Sequence, residues 1–227
     1  MKNMTGKAPK TRKVRKTWKM TNSSAALAAA GGVLLAAFPF LRPWGDKIDG
    51  AGAADMIGAF ASTMWVAAHV AGMIGFVLLA AAALAHGRGG ARWWLAGGVA
   101  LILPFFGAET FGLHVVAGSV PQDAAIVAAD GIREGAVQMT MFGVGLLATA
   151  VGGVLLARRS RAAILLAFAL VTYLPQFFFG PEVRMAHGAI LLVGAAWWAW
   201  ALVREAAPGR REAAVPAAQP TMPGVLA

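Results

Sequence analysis

Apolar side chains run along this chain in six long blocks, at about residues 24–42, 57–85, 93–118, 135–157, 162–180 and 184–203, with short polar stretches between them. A bilayer crossing takes ~20 mostly apolar residues. The pattern therefore predicts an all-α polytopic membrane protein, a six-transmembrane-helix bundle spanning 24–204. A basic segment, 1–23, precedes it. A Pro/Ala-rich tail, 205–227, follows and reads as disordered. The first block has a long basic flank and no small-x-small cleavage site directly after it, so it reads as an uncleaved helix rather than a signal peptide.

The blocks pair into three helical hairpins. Each first helix of a hairpin reaches a proline near its end (Pro39, Pro104, Pro175), then an aromatic and glycine stretch, then an acid (Asp46, Glu109, Glu182). The second and third copies match best. Leu103-Pro104-Phe105-Phe106-Gly107-Ala108-Glu109 is followed by His114, and Leu174-Pro175-Gln176-Phe177-Phe178-Phe179-Gly180-Pro181-Glu182 by His187. Each returning helix is rich in Gly and Ala, which lets helices approach closely. Pro104 and Pro175 each free a carbonyl one turn earlier, and such groups are tolerated at membrane depth where they are buried in protein or line a wet cavity.

Composition strengthens the membrane reading. The 227 residues are 59% hydrophobic and 13% charged, against ~25% charged in soluble domains. The net charge of +10 would suggest nucleic acid in a soluble protein, but its distribution points elsewhere. Lys2, Lys7, Lys10, Arg12, Lys13, Arg15, Lys16 and Lys19 crowd the N-terminal segment, where they fit a topology signal and contact with anionic lipids. With both termini cytoplasmic, only Arg42, Lys47, Arg133 and Arg184 of the 20 Lys and Arg fall outside, together with Asp46, Asp49, Asp55, Asp123, Asp130, Glu134 and Glu182. Every short loop then obeys the positive-inside rule, and the expected location is the plasma membrane, multi-pass. The chain has no cysteine, which removes disulfides and thiolate chemistry.

Candidate chemistry centres on Glu109, the only acid placed within a span. An ionisable group there costs at least ~2.5 kcal/mol and marks a functional site by default. At ~1.5 Å rise per residue, Glu109 lies ~14 Å and His69 ~18 Å from the same face. Their helices are consecutive, so an antiparallel pairing of Glu109 with His69 is natural. His114 and His187 are shallower, with Glu182 just above, and Gln138, Met139 and Gln176 lie at a similar level. Glu109 and His114, five apart, sit about 140° apart on a regular helix; either Gly112 relaxes the helix or the two serve different sites. Arg133, Glu134 and Arg184 flank the mouth of such a pocket.

Several functions fit these residues. The first expectation is metal handling or electron transfer, with a transition metal (Cu, Zn, Fe) or haem held by His69, His114, His187 and Met139, since imidazole and thioether suit those ions. The alternative is a proton-coupled small-solute transporter, or a membrane substrate-binding subunit, using the Glu109–His69 pair with Glu182, Gln138 and Gln176 as further polar contacts. An intramembrane enzyme is the weaker expectation, because neither Gly-x-Ser-x-Gly nor His-Glu-x-x-His occurs. Small-residue faces also fit a homo-oligomer or a larger membrane complex. The six-helix, histidine-bearing pattern is similar to membrane b-type cytochromes, and the size to substrate-binding subunits of vitamin importers. Neither likeness rests on a specific motif, so it assigns no residue a role.

Overall fold

A computed structural model describes residues 10–86 and 89–207, with side chains from residue 21 onward. The side chains of the basic segment through residue 20, residues 87 and 88, and the tail from residue 208 lie outside the described residues, and with them the expected lipid contact and most of the tail expected to be disordered. Every regular element among the described residues is helical. Helix α1 (Lys10–Leu41) is followed by the short α2 (Ala53–Ala61) and the long α3 (Thr63–His86). Helix α4 (Ala91–Gly107) runs through a π-turn (Ala108–Gly112) into α5 (Leu113–Ser119), and α6 (Gln122–Glu134) leads to α7 (Ala136–Ala157). Helix α8 (Ile164–Val171) and α9 (Pro181–Ala206) complete the chain.

Five helical stretches are long and apolar enough to cross a membrane: Thr21–Leu41, Thr63–His86, Ala91–Ser119, Ala136–Ala157 and Pro181–Ala206. The block at 162–180 differs. Its helix stops at Val171, because Pro175 has no N–H to return to the Val171 carbonyl. The backbone then tightens into a 3₁₀ turn, Pro175–Phe178.

The five long helices and the short α8 form a closed ring in the order α1, α3, α4, α7, α8, α9, with α9 returning to pack on α1. Close contacts show successive helices running antiparallel: Gly31 and Leu35 of α1 against Gly75 of α3, Gly98 of α4 against Gly145 and Thr149 of α7, and Gly32 of α1 against Ala195 of α9. The spacing demands small residues. A Cβ on Gly98 would sit 2.7 Å from the Gly145 carbonyl oxygen, and one on Gly75 2.7 Å from Leu35 Cγ.

Aromatic rings fill the ring's centre. Phe38, Phe76, Phe106, Phe142, Tyr173 and Phe177 contact one another with centroids 5.1–6.1 Å apart. Above them, at the end where α1 stops and α3 begins, the short helices fold over the bundle. Helix α6 buries Ala125 and Ala129, while α2 buries Phe60 beside Trp65, Leu113 and Ala129. Helix α6 occupies a stretch that reads as a loop in the apolar pattern and delivers Arg133, described next, whereas α2 straddles the start of the second apolar block.

Candidate functional site

The end of α1 carries Arg42, and the turn after it carries Asp46. The Asp46 side chain is wholly covered and accepts a 2.6 Å bond from Arg42 Nη2. The next acceptor-donor step crosses to α6, where Arg133 Nη2 lies 3.2 Å from the same Asp46 oxygen. Arg133 Nε in turn lies 3.3 Å from Glu109 Oε1. Glu109 Oε2 then faces His69 Nε2 at 3.9 Å. His69, Glu109, Arg133, Asp46 and Arg42 thus form a line of alternating charge drawn from α3, the π-turn, α6 and the end of α1. Burying such a chain is expensive unless every member is compensated, and removing one partner strands the rest.

The local backbone explains why Glu109 points inward. After Pro104 the α-helical ladder loosens into the π-turn, a feature frequent at functional sites. The π-turn is pinned from α3, where the Trp65 indole N–H donates to the Glu109 carbonyl at 3.1 Å. The Thr110 hydroxyl donates to the Phe106 carbonyl. The same Trp65 offers its ring face to Arg42 at 4.6 Å, while Trp44 covers Arg42 at 4.4 Å.

Protonation geometry is the second feature. His69 is fully buried, and its Nδ1–H donates to the Trp65 carbonyl at 2.7 Å. That bond fixes the tautomer, because a carbonyl can only accept. Nε2, which has no hydrogen-bond partner, therefore turns a lone pair toward the Glu109 carboxylate unless one proton sits between them.

Burial works to raise the Asp46 carboxyl, yet the charge and hydrogen bond of Arg42, followed by Arg133 and Lys47, outweigh it and hold the group below its ordinary 3.8.

The charged line borders an open cavity of about 480 Å³. Arg42, Lys47, Glu109, Arg133, Glu134 and Arg184 supply its polar wall, and Phe38, Phe105, Phe142, Phe177 and Phe178 its apolar one. Met139, half exposed, lines the same cavity. Arg184 is 4% exposed at the start of α9. Its Nε donates to Gln176 Oε1 at 3.2 Å, and its guanidinium lies over the Trp44 and Phe177 rings at 4.9 and 4.7 Å.

Among the sequence-derived candidates, Glu109 and His69 come together, and Met139 and Gln176 join the cavity directly or through Arg184. The others do not gather there. His114 Nδ1 donates to the Phe60 carbonyl at 3.0 Å and faces a separate shallow groove with Thr63, Val66 and Phe111. His187 Nε2 donates to the Ala169 carbonyl at 2.8 Å, against Tyr173. Gln138 clamps the α6–α7 corner by donating to the Gly131 and Ile132 carbonyls at 2.9 and 3.2 Å, and Glu182 is exposed. The expected shared layer of His114, His187 and Glu182 is therefore not assembled. No group of three His, Asp or Glu able to hold a metal occurs among the described residues, so His69, His114 and His187 do not converge.

Arg42, at the end of the first apolar block, reads from the sequence as an ordinary boundary charge, and Asp46 enters there only as the acid of the first hairpin, with no partner assigned. Comparison of the chain with protein-family models, with curated proteins and with solved structures finds no match in any of the three.

Proposed function

We propose that this is a six-pass plasma-membrane protein built of three hairpins with both termini cytoplasmic, and that its extracytoplasmic cavity binds a small solute whose passage is coupled to a proton held between Glu109 and His69. The sixth crossing is Arg161–Phe178, a short helix extended at each end by 3₁₀ turns. The observation that carries the coupling is the pair itself. His69 Nε2 is buried and unpartnered 3.9 Å from a carboxylate that lines the cavity, and a proton taken up there turns the contact from repulsive to attractive and draws the two groups within hydrogen-bond reach. Glu109 and Arg133 both line the cavity, so a solute held there acts on that proton through them. His69 from α3 and Arg133 from α6 contact Glu109 directly; Arg42, Lys47, Glu134 and Arg184 line the same cavity, and Asp46 connects to Glu109 through Arg133.

A metal or haem site has less support. His114 lines a separate groove and His187 packs against Tyr173, and among the described residues no group of three His, Asp or Glu gathers around Glu109 and His69.

Proteoliposomes with an imposed pH gradient and an entrapped pH dye test the proposal as candidate solutes are added one at a time. A solute that drives proton flux through the wild-type protein should drive none through Glu109→Gln, whose circular dichroism stays unchanged. Equal flux through both proteins removes Glu109 as the coupling group.

A further inference from the structure

The charge balance around the cavity is uneven. Asp46 is shared by Arg42 and Arg133, and Glu109 by Arg133 and His69. Two cavity-lining cations, Arg184 and Lys47, belong to none of these ion pairs. Arg184 is the more telling, because it is buried, and a buried guanidinium without a carboxylate is costly. Its Nε is satisfied by Gln176 and its faces by Trp44 and Phe177. Lys47, exposed in the turn after α1, adds a second positive charge to the same cavity wall and is only partly withdrawn from water. Burial first, and then the positive charge of Arg133, push its ammonium below its ordinary 10.5; Asp46 offsets part of this, and Arg184 and Arg42 add to the depression. The remaining acid of the wall, Glu134, is exposed and forms no ion pair with either cation.

We propose that the cavity takes a small organic anion, its acidic group held by Arg184 and Lys47 and its apolar body lying against Phe105, Phe142, Phe177 and Phe178. A guanidinium fork matches the paired oxygens of a carboxylate, sulfonate or phosphate. The aromatic wall suits a flat or branched carbon skeleton. Phe178, 84% exposed, stands at the mouth where such a body would cover it. This inference rests on the cavity being a solute site, and it adds the class of solute. An anionic lipid headgroup offers the same chemistry as a free acid; the open cavity and the exposed mouth favour the free acid.

Benzenesulfonate and phenyltrimethylammonium are suitable ligands, because each keeps one charge at every working pH and differs from the other chiefly in its sign. Thermal unfolding of the full chain is followed in phosphatidylcholine nanodiscs. Benzenesulfonate at ten times its Kd should raise Tm by roughly 3–6 °C, and phenyltrimethylammonium should not. Arg184→Gln should weaken benzenesulfonate binding tenfold or more. If that variant fails to fold, Lys47→Gln, at an exposed position, should still weaken it several-fold. Adding phosphatidylglycerol to the discs should leave the benzenesulfonate shift in place; a shift that disappears while the starting Tm rises assigns the site to a lipid headgroup with the same anion chemistry.

A cation response equal to or above the anion response overturns the anion class, as does a benzenesulfonate shift unaffected by the folded variant. In either case a proton flux lost in Glu109→Gln would leave the coupled-solute reading standing. No response to either ion, together with flux unaltered by Glu109→Gln, overturns both.

Discussion

Leu103–His114 and Leu174–His187 share a leucine, a proline, a phenylalanine run, a glycine and an acid five residues before a histidine, yet they bury opposite members. In the first, Glu109 is 8% exposed and linked to two partners, while His114 is half-buried. In the second, Glu182 is exposed and His187 is buried on a main-chain carbonyl. The backbone makes the difference. After Pro104 the chain stays helical through a π-turn, so Glu109 remains in the bundle wall. After Pro175 the chain breaks into a 3₁₀ turn and restarts at Pro181, so Glu182 falls in the first turn of a new helix, at its solvent end. The second stretch then contributes a cation, Arg184, where the first contributes an acid. A repeated pattern does not repeat a role when the path between its polar members changes.

The sharpest way to break this contrast is to remove the two acids in turn. Glu109→Leu strands the Arg133 and His69 side chains and should cost about 3–5 kcal/mol, whereas Glu182→Leu, at the surface, should stay within about 0.5 kcal/mol. Thermal unfolding of the two variants in the same detergent measures both; equal losses would erase the distinction. The histidines should rank the other way. His187→Ala removes a buried hydrogen bond and leaves space beside Tyr173, at about 2–3 kcal/mol, against about 1 kcal/mol for His114→Ala.

Acid should act through the line of charge around the first stretch. Asp46 has a depressed pKa in the folded protein, so its stabilisation is complete above its ordinary 3.8 and is lost as pH falls through the lower folded value. Unfolding scans from pH 6 downward should therefore show a steep loss below about pH 4 in the wild type. Asp46→Asn should start lower and lose less over the same window. The smallest effect concerns the break itself. Pro175→Ala returns an N–H that can reach the Val171 carbonyl and should change stability by less than about 1 kcal/mol, while adding helical signal in circular dichroism.

Much of the wall was legible in the chain. Apolar runs place the long helices, and rise per residue puts Glu109 and His69 at neighbouring depths on consecutive antiparallel helices. The lid was not. Residues 43–56 and 119–134 are polar enough to read as loops, but Ala125, Ala129 and Ile132 recur at spacings of four and three, the signature of one apolar helix face. That face packs down through Ala125 and Ala129 and carries Arg133 over Glu109. The burial and pairing of Arg42 and Asp46 escape for a related reason. Burial of a boundary charge depends on what folds over it, and α2 and α6 belong to other stretches of the chain.

The shared proton between Glu109 and His69 is the claim on which the coupling depends, and infrared difference spectroscopy tests it most directly. Acid-minus-base spectra of the protein in nanodiscs, with carbon-13 in the glutamate carboxyls, should show one buried carboxyl and the His69 imidazole changing together across a single titration. Both signals should vanish in Glu109→Gln, and the carboxyl band should move to a different pH in His69→Phe. A Glu109 signal that titrates at the same pH whether or not His69 is present would contradict a shared proton.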